Sequence, residues 1–170
     1  MKGELFDEII SINIKYSQKA ITLNQRSHFG KLEGDILELS LIEGTYLLEK
    51  SRLKIYLNNK KVDFEFLISL IREKGLYGKY IVFRDLKDRG YIIKAGFKYG
   101  SEFRLYERGK SPGDGHSHYL VKVIYEFENL KISNLSSYAR VAHGVKKNLI
   151  LAVVDEDKDV TYYNLKWMKP

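Results

Sequence analysis

Residues 149–167 read LILAVVDEDKDVTYYNLKW and indicate how the second half of the chain folds. The first six of these residues are all apolar, which is typical of a buried strand. Residues 155–159 then place four acids in five positions, as in a turn that faces water. Residues 160–167 return to a strand-forming composition. We therefore expect two strands joined by an acidic turn.

Glycines and apolar periodicity divide the remainder of the second half into helices and strands. A helix over residues 79–87 is stopped at Gly90, and a helix over 133–143 is ended by Gly144. Three further strands are predicted over residues 91–95, 103–106 and 116–127. With the last two strands, they predict a small mixed sheet flanked by helices.

The first half of the chain shows a different succession of elements. Alternation predicts a strand over residues 5–14, an apolar stripe predicts a helix over 39–53, and a short strand follows over 54–57. Asp63 caps a further helix that ends at Gly75. We place a boundary at that glycine, so the predicted fold is α/β, of the α+β type, with two small domains over residues 1–75 and 76–170.

The composition excludes several kinds of chemistry. The 170 residues include no cysteine, which rules out disulfides, thiolate metal sites and thiol nucleophiles. No apolar run is long enough to cross a membrane, and the N-terminus carries acids where a secretion signal needs a hydrophobic stretch. We expect a cytoplasmic protein with no membrane partner. Few Met and Gln residues beside abundant Lys and Glu also fit a heat-adapted source.

The formal net charge of +7 is concentrated in the second half. Residues 76–170 hold 17 basic and 11 acidic side chains, a net charge of +6, and leaving out residues 155–159 raises this to +9. A basic surface of this size attracts phosphate chains. A solvated lysine-rich surface would give the same count, so charge alone leaves both interpretations open.

Two histidines follow a glycine-rich turn in residues 110–121, which read KSPGDGHSHYLV. His116 and His118 could begin a metal site, with Asp114 as a third ligand, but two ligands do not complete a site and His28 and His143 lie in unrelated segments. His116 alone could donate a proton, because histidine titrates near neutral pH. It could also be a plain polar residue at the start of a strand.

Three ordered motifs give a more specific indication. YERG at residues 106–109, HSHYLV at 116–121 and RVAHGVKK at 140–147 precede the stretch quoted first. In this order they resemble the catalytic domain of the archaeal tRNA-splicing endonuclease over residues 76–170, and the first half is compatible with that family's amino-terminal domain. The resemblance implies a C-terminal domain like that of restriction endonucleases.

The resemblance assigns a catalytic set to Tyr106, His116 and Lys147, acting on RNA without a metal or other cofactor. Tyr106 would accept the proton of a ribose 2′-hydroxyl, His116 would protonate the leaving 5′-oxygen, and Lys147 would stabilise the charge on the phosphorus centre. The implied products are a 2′,3′-cyclic phosphate and a 5′-hydroxyl. Taken singly, Tyr106 could be an ordinary strand residue and Lys147 a helix-end lysine.

Binding and assembly residues follow from the same resemblance. Arg140 is expected to stack on a flipped bulge base, with Trp167 on the other side, although Arg140 could be a plain exposed arginine and Trp167 a core residue. The acidic turn is expected to enter a basic pocket of a neighbouring subunit and to assemble a homotetramer, in which the last strand could pair across a twofold axis. Its acids, otherwise a solvated turn, are Asp155, Glu156, Asp157 and Asp159.

These observations predict a homo-oligomeric tRNA-intron endonuclease that cuts precursor tRNA at bulge-helix-bulge junctions. A non-catalytic structural or RNA-binding subunit of the same fold is the main alternative. A metal-dependent hydrolase that uses His116 and His118 is the other.

Overall fold

The computed structural model of the protein describes residues 1–113 and 115–168. The chain forms two compact units, Met1–Tyr80 and a second that begins at Ile81. None of the helices in these residues combines the length and the apolar character needed to span a membrane.

The first unit is a six-stranded sheet with helices. The elements are β1 (Lys2–Phe6), β2 (Ile9–Asn13), a 3₁₀ turn (Ile14–Tyr16), α1 (Gln18–Ser27), β3 (Lys31–Glu33), β4 (Ile36–Ser40), α2 (Leu41–Glu49), β5 (Lys54–Leu57), β6 (Lys60–Val62) and α3 (Phe64–Glu73). The strand order is β3-β4-β2-β1-β5-β6, in which β1 and β5 run parallel and the other neighbours antiparallel. Helix α2 packs on β2, β4 and β5.

The N-terminal strand predicted over residues 5–14 is in fact a hairpin of β1 and β2. The chain reverses at Asp7, whose φ of 54° is left-handed, a conformation that aspartate tolerates better than most residues. The predicted helix over 39–53 is the shorter α2, because Ser40 and Glu43 form a capping box that fixes its first turn. The predicted Asp63 cap is confirmed, since its side chain accepts a hydrogen bond from the Phe66 amide.

A glycine inside α2 has a packing reason. A Cβ atom at Gly44 would lie 2.0 Å from Cδ1 of the fully buried Ile10, which belongs to β2. The close approach of helix and sheet therefore requires glycine at this position, despite the lower helix propensity of that residue.

The second unit contains the predicted mixed sheet. The two units divide within α4 (Tyr77–Asp88). The elements that follow are β7 (Ile92–Ala95), a 3₁₀ turn (Phe97–Tyr99), β8 (Phe103–Tyr106), β9 (Tyr119–Tyr125), α5 (Ile132–Gly144), β10 (Asn148–Val154) and β11 (Val160–Leu165). The strand order is β11-β10-β9-β8-β7, with β9 and β10 parallel and the other neighbours antiparallel. Helix α5 connects the parallel pair and packs on β10.

Most of the apolar run of β10 is buried as its composition predicts, although Ile150 and Val153 are partly exposed. Leu149 and Ala152 of β10 are fully buried, and Leu149 forms a core cluster with Leu120 of β9 and Ala142 of α5. Strand β9 starts at Tyr119 and not at residue 116, so both candidate histidines precede it. The predicted boundary at Gly75 lies between α3 and α4 and stays a prediction.

The edge strand β11 is tied to α4 by a three-residue cluster. The Tyr162 hydroxyl donates to Oδ2 of Asp85 over 2.7 Å, and Nε of Arg89 lies 2.7 Å from the same oxygen. Burial and the hydrogen bond to Asp85 raise the pKa of Tyr162 well above its ordinary value. The folded state therefore favours the neutral phenol.

We expect Tyr162→Phe to lower the free energy of unfolding at neutral pH by about 1.5–3 kcal/mol, the usual value of a hydrogen bond to a charged group. Because the pKa of Tyr162 is higher in the folded state, this contribution is complete below pH ~10 and declines above it, where the unfolded tyrosine ionises. Chemical denaturation of both proteins on either side of that pH should show their stability difference shrinking. A difference independent of pH would contradict this role for Tyr162.

Candidate active site

The three predicted catalytic residues lie at one edge of the second sheet. Strand β9 runs antiparallel to β8 and parallel to β10, so the end of β8 and the starts of β9 and β10 meet at the same edge. Tyr106 is the last residue of β8, His116 lies just before β9, and Lys147 directly precedes β10. Three segments that are distant in sequence are therefore neighbours in the sheet.

Backbone hydrogen bonds extend the sheet into this edge. The His118 amide donates to the Leu105 carbonyl over 3.1 Å, and the Asn148 amide donates to the His118 carbonyl over 2.9 Å. The segment that carries His116 is thus held between the end of β8 and the start of β10. Its placement depends on strand pairing and not on side-chain packing alone.

Lys147 is anchored beside His116. Its Nζ donates to the backbone carbonyl of Ser117 over 2.7 Å and lies 5.9 Å from the ring centre of Tyr99. The carbonyl of Ser117 therefore fixes the ammonium. Ser117 itself is buried, and its hydroxyl has no hydrogen-bond partner among the described residues. Sequence reasoning gave no indication of this contact, because every residue offers a carbonyl.

The other two candidate residues differ in access. Tyr106 is only 4% exposed, whereas His116 lies on the surface. A substrate can approach the imidazole directly, whereas little of the Tyr106 side chain is accessible. The central segment thus offers an accessible imidazole, and the neighbouring segments offer the enclosed hydroxyl of Tyr106 on one side and the Lys147 ammonium on the other.

His118 does not share the environment of His116. Its Nε2 lies 3.7 Å from Oε2 of Glu107, and both side chains are about half exposed. Within residues 1–113 and 115–168, no group of three or more His, Asp or Glu side chains is arranged to hold a metal ion. Asp114, the candidate third ligand, lies outside the described residues.

The two predicted base-stacking residues have different neighbours. Arg140 is exposed on α5, where its Nε donates to the Ser136 carbonyl over 3.4 Å. Trp167 packs against His143, one helical turn after Arg140, with ring centres 4.7 Å apart and planes inclined by 46°. His143 was not predicted as part of the site, since only its contact with Trp167 distinguishes it from an ordinary helix-end histidine.

A cavity of about 580 Å³ opens beside Lys147. The residues that line it come from the end of α5 and the start of β10: His143, Gly144, Lys146, Lys147 and Asn148. Two lysines and a histidine thus line a space next to the candidate site, and none of the described residues that line it is acidic. Such a space favours an anionic group.

The acidic turn between β10 and β11 is ordered by its own hydrogen bonds. The carboxylate of Asp155 accepts from the Asp159 amide over 2.8 Å, and Glu126 accepts from the Glu156 amide over 2.9 Å. Glu156, Asp157 and Asp159 nevertheless remain exposed. The turn therefore presents a fixed cluster of carboxylates to its surroundings.

Both halves of the chain are similar to domains of known proteins. Residues 76–162 match the model of the tRNA intron endonuclease catalytic C-terminal domain, and residues 1–68 match that of its N-terminal domain. A tRNA-splicing endonuclease of Methanothermobacter thermautotrophicus is 51% identical over 170 residues, which cover all of this chain and 99% of the relative.

Two further relatives agree with this match. The tRNA-splicing endonuclease of Thermococcus gammatolerans is 46% identical, over 89% of this chain and 90% of the relative. That of Pyrococcus horikoshii is 43% identical, over 91% of each chain. With both domain models matched in order and relatives similar over nearly their full length, the chain belongs to the tRNA intron endonuclease family.

Proposed function

We propose that this protein cuts precursor tRNA at bulge-helix-bulge junctions by transesterification, with Tyr106, His116 and Lys147 as its catalytic residues. Family membership makes it an endoribonuclease of tRNA splicing. The observation that carries the assignment of residues is their convergence on one edge of the second sheet, where the Lys147 ammonium contacts the carbonyl next to His116.

The reaction needs two proton transfers and one displacement. Tyr106, as the phenolate, accepts the proton of the ribose 2′-hydroxyl, and that oxygen attacks the neighbouring phosphorus. The bond between phosphorus and the 5′-oxygen breaks, and His116 gives its proton to the leaving oxygen. The products are a 2′,3′-cyclic phosphate on one fragment and a 5′-hydroxyl on the other, so no water is consumed.

Lys147 contributes charge that is already in position. Negative charge accumulates on the non-bridging phosphate oxygens in the transition state, and a fixed ammonium stabilises it without reorganising first. The hydrogen bond to the Ser117 carbonyl supplies that fixation and leaves the other ammonium protons for the substrate. The same contact holds the Lys147 charge close to the segment of the general acid.

Substrate shape is the first test of this function. Double-stranded RNA hides its base edges in a narrow major groove, so a splicing endonuclease must recognise bulges and the helix between them. We expect cleavage of an RNA with two bulges flanking a short helix, and none of a matched RNA whose bulges are paired. Equal cleavage of both would contradict the proposal, and no cleavage of either by the purified chain would favour the non-catalytic alternative.

We further propose that the acidic turn assembles a homotetramer by entering a basic pocket of a neighbouring subunit. The exposed carboxylates would be poorly placed in an apolar contact, but they suit a surface of opposite charge. Two cleavage sites on one RNA also require two active sites at a fixed separation. Oligomerisation is thus part of the proposed function.

Charge reversal in the turn tests this assembly. The combined variant Glu156→Lys, Asp157→Lys and Asp159→Lys leaves Asp155, which holds the turn together, in place. We expect it to sediment at half the mass of the parent, because like charges then face each other at the contact. Analytical ultracentrifugation at low protein concentration measures the change.

A matched control reverses three exposed acids of the first unit, Glu4, Glu65 and Glu73. It changes the net charge equally but should sediment like the parent. If the turn variant also kept the parent's mass, the turn would not be an assembly element.

A further inference from the structure

We propose that the cavity beside Lys147 is a nucleotide subsite, in which Lys146 binds a phosphate of the RNA backbone and His143, backed by Trp167, contacts a base. The subsite would take the nucleotide next to the cleaved linkage. This inference rests on the proposed function, because Lys147 is shared between the cavity and the catalytic set.

The two consecutive lysines that follow α5 have side chains in different surroundings. The amides of Lys146 and Lys147 donate to the carbonyls of His143 and Ala142 over 2.9 and 2.8 Å, which closes the helix. Lys146 then has a left-handed φ of 55°. Lys147 reaches the Ser117 carbonyl, whereas Lys146 stays exposed and forms no ion pair with a described residue. The Lys147 ammonium is therefore held at the catalytic edge of the sheet, whereas the Lys146 ammonium can bind a second phosphate.

The backbone at Lys146 is left-handed, a conformation that glycine or asparagine adopts at lower cost than lysine. Lys158 in the acidic turn shares this conformation, so the backbone alone does not mark a binding site. The cavity gives the stronger indication, because Lys146 and Lys147 both line it and an anionic ligand would stabilise the two neighbouring ammonium groups.

The imidazole of His143, which lines the cavity, offers a flat surface for a base. This ring packs on Trp167, whose side chain is still 42% exposed, so the two rings form an aromatic surface beside the phosphate position. Unstacked RNA bases bind to aromatic side chains in this way, with little dependence on base identity. A phosphate contact and a base contact within one cavity would recognise a nucleotide without reading its base edges.

The phosphate contact is tested with Lys146→Asn, which removes the ammonium and suits the left-handed backbone. We expect KM for a bulged RNA to rise about 10-fold with kcat within about twofold, because the contact exists before and during the reaction. In binding assays on a His116→Ala background, the slope of log Kd against log salt concentration should fall by about 0.7–0.9, the value of one released counterion.

Lys61→Asn is the matched control, since Lys61 is an exposed lysine of β6 in the first unit. It should change neither KM nor the salt slope. An unchanged KM and slope for Lys146→Asn would overturn the subsite. That result is distinct from failure of the proposed function, which would appear as undiminished cleavage by His116→Ala.

The base contact is tested by a double-mutant cycle. His143→Ala should raise KM about 10-fold on intact RNA, in the range found for base stacking. On an RNA that lacks one base, either just before or just after the cleaved linkage, the same substitution should have almost no effect. A penalty that persisted on both abasic RNAs would show that His143 has only a structural role.

Discussion

Replacing His116 by alanine is expected to lower kcat for precursor tRNA cleavage by about 10²- to 10⁴-fold, the usual contribution of a general acid. The 5′-oxygen is a poor leaving group unless it gains a proton as the bond breaks. KM should change little, because the proton is transferred only as the bond breaks, and the exposed imidazole lies outside the strand. Single-turnover cleavage of a bulged RNA separates this chemical step from binding.

His118→Ala is the matched control for this experiment. His118 lies two positions away and pairs with Glu107, and its side chain has no role in the proposed reaction. Its removal should change kcat by no more than about threefold, within the effect of a surface change. Equal losses in both variants, reversed by added zinc, would instead support the metal-dependent alternative.

Lys147→Gln is expected to lower kcat by about 10²- to 10³-fold, comparable to the loss of one fixed donor in an oxyanion site. Glutamine can still donate a hydrogen bond to the Ser117 carbonyl, so the substitution chiefly removes the charge. The loss should appear in kcat, since the ammonium acts most strongly on charge that develops in the transition state. Single-turnover rates at saturating RNA measure it.

Lys98→Gln provides a control at short range. Its Nζ lies 5.3 Å from the centre of the same Tyr99 ring that Lys147 approaches, but Lys98 is exposed and does not contact Ser117. The control removes the same charge and should leave kcat unchanged. If both variants lost activity equally, the positive potential of the whole region, and not the fixed Lys147 ammonium, would account for the loss.

The α/β class and the mixed sheet of the second unit were predictable because their signals are local. An unbroken apolar run predicted β10, and Gly144 marked the end of α5. Helix α1 was missed because only Ala20 and Leu23 of its residues are buried, which leaves too narrow an apolar stripe. Its one clear signal was the Ser17 cap, whose hydroxyl accepts from the Ala20 amide.

The family was recognisable from the sequence because its motifs keep their order, and the comparisons confirm it. The likeness to restriction endonucleases stays a prediction. Composition and spacing alone could not assign a site, since the convergence of Tyr106, His116 and Lys147 depends on how β9 pairs with both neighbours. Contacts between residues that are far apart in sequence, such as that of Trp167 with His143, leave no local pattern that could predict them.

The chemistry of the cut ends tests the central claim most directly. The purified protein should cleave a bulged precursor tRNA in excess chelator, because Tyr106, His116 and Lys147 supply both proton transfers and the stabilising charge. Mass spectrometry of the fragments should find a 2′,3′-cyclic phosphate and a 5′-hydroxyl. Fragments ending in a 3′-hydroxyl and a 5′-phosphate, or cleavage abolished by chelator and restored by zinc, would contradict the account.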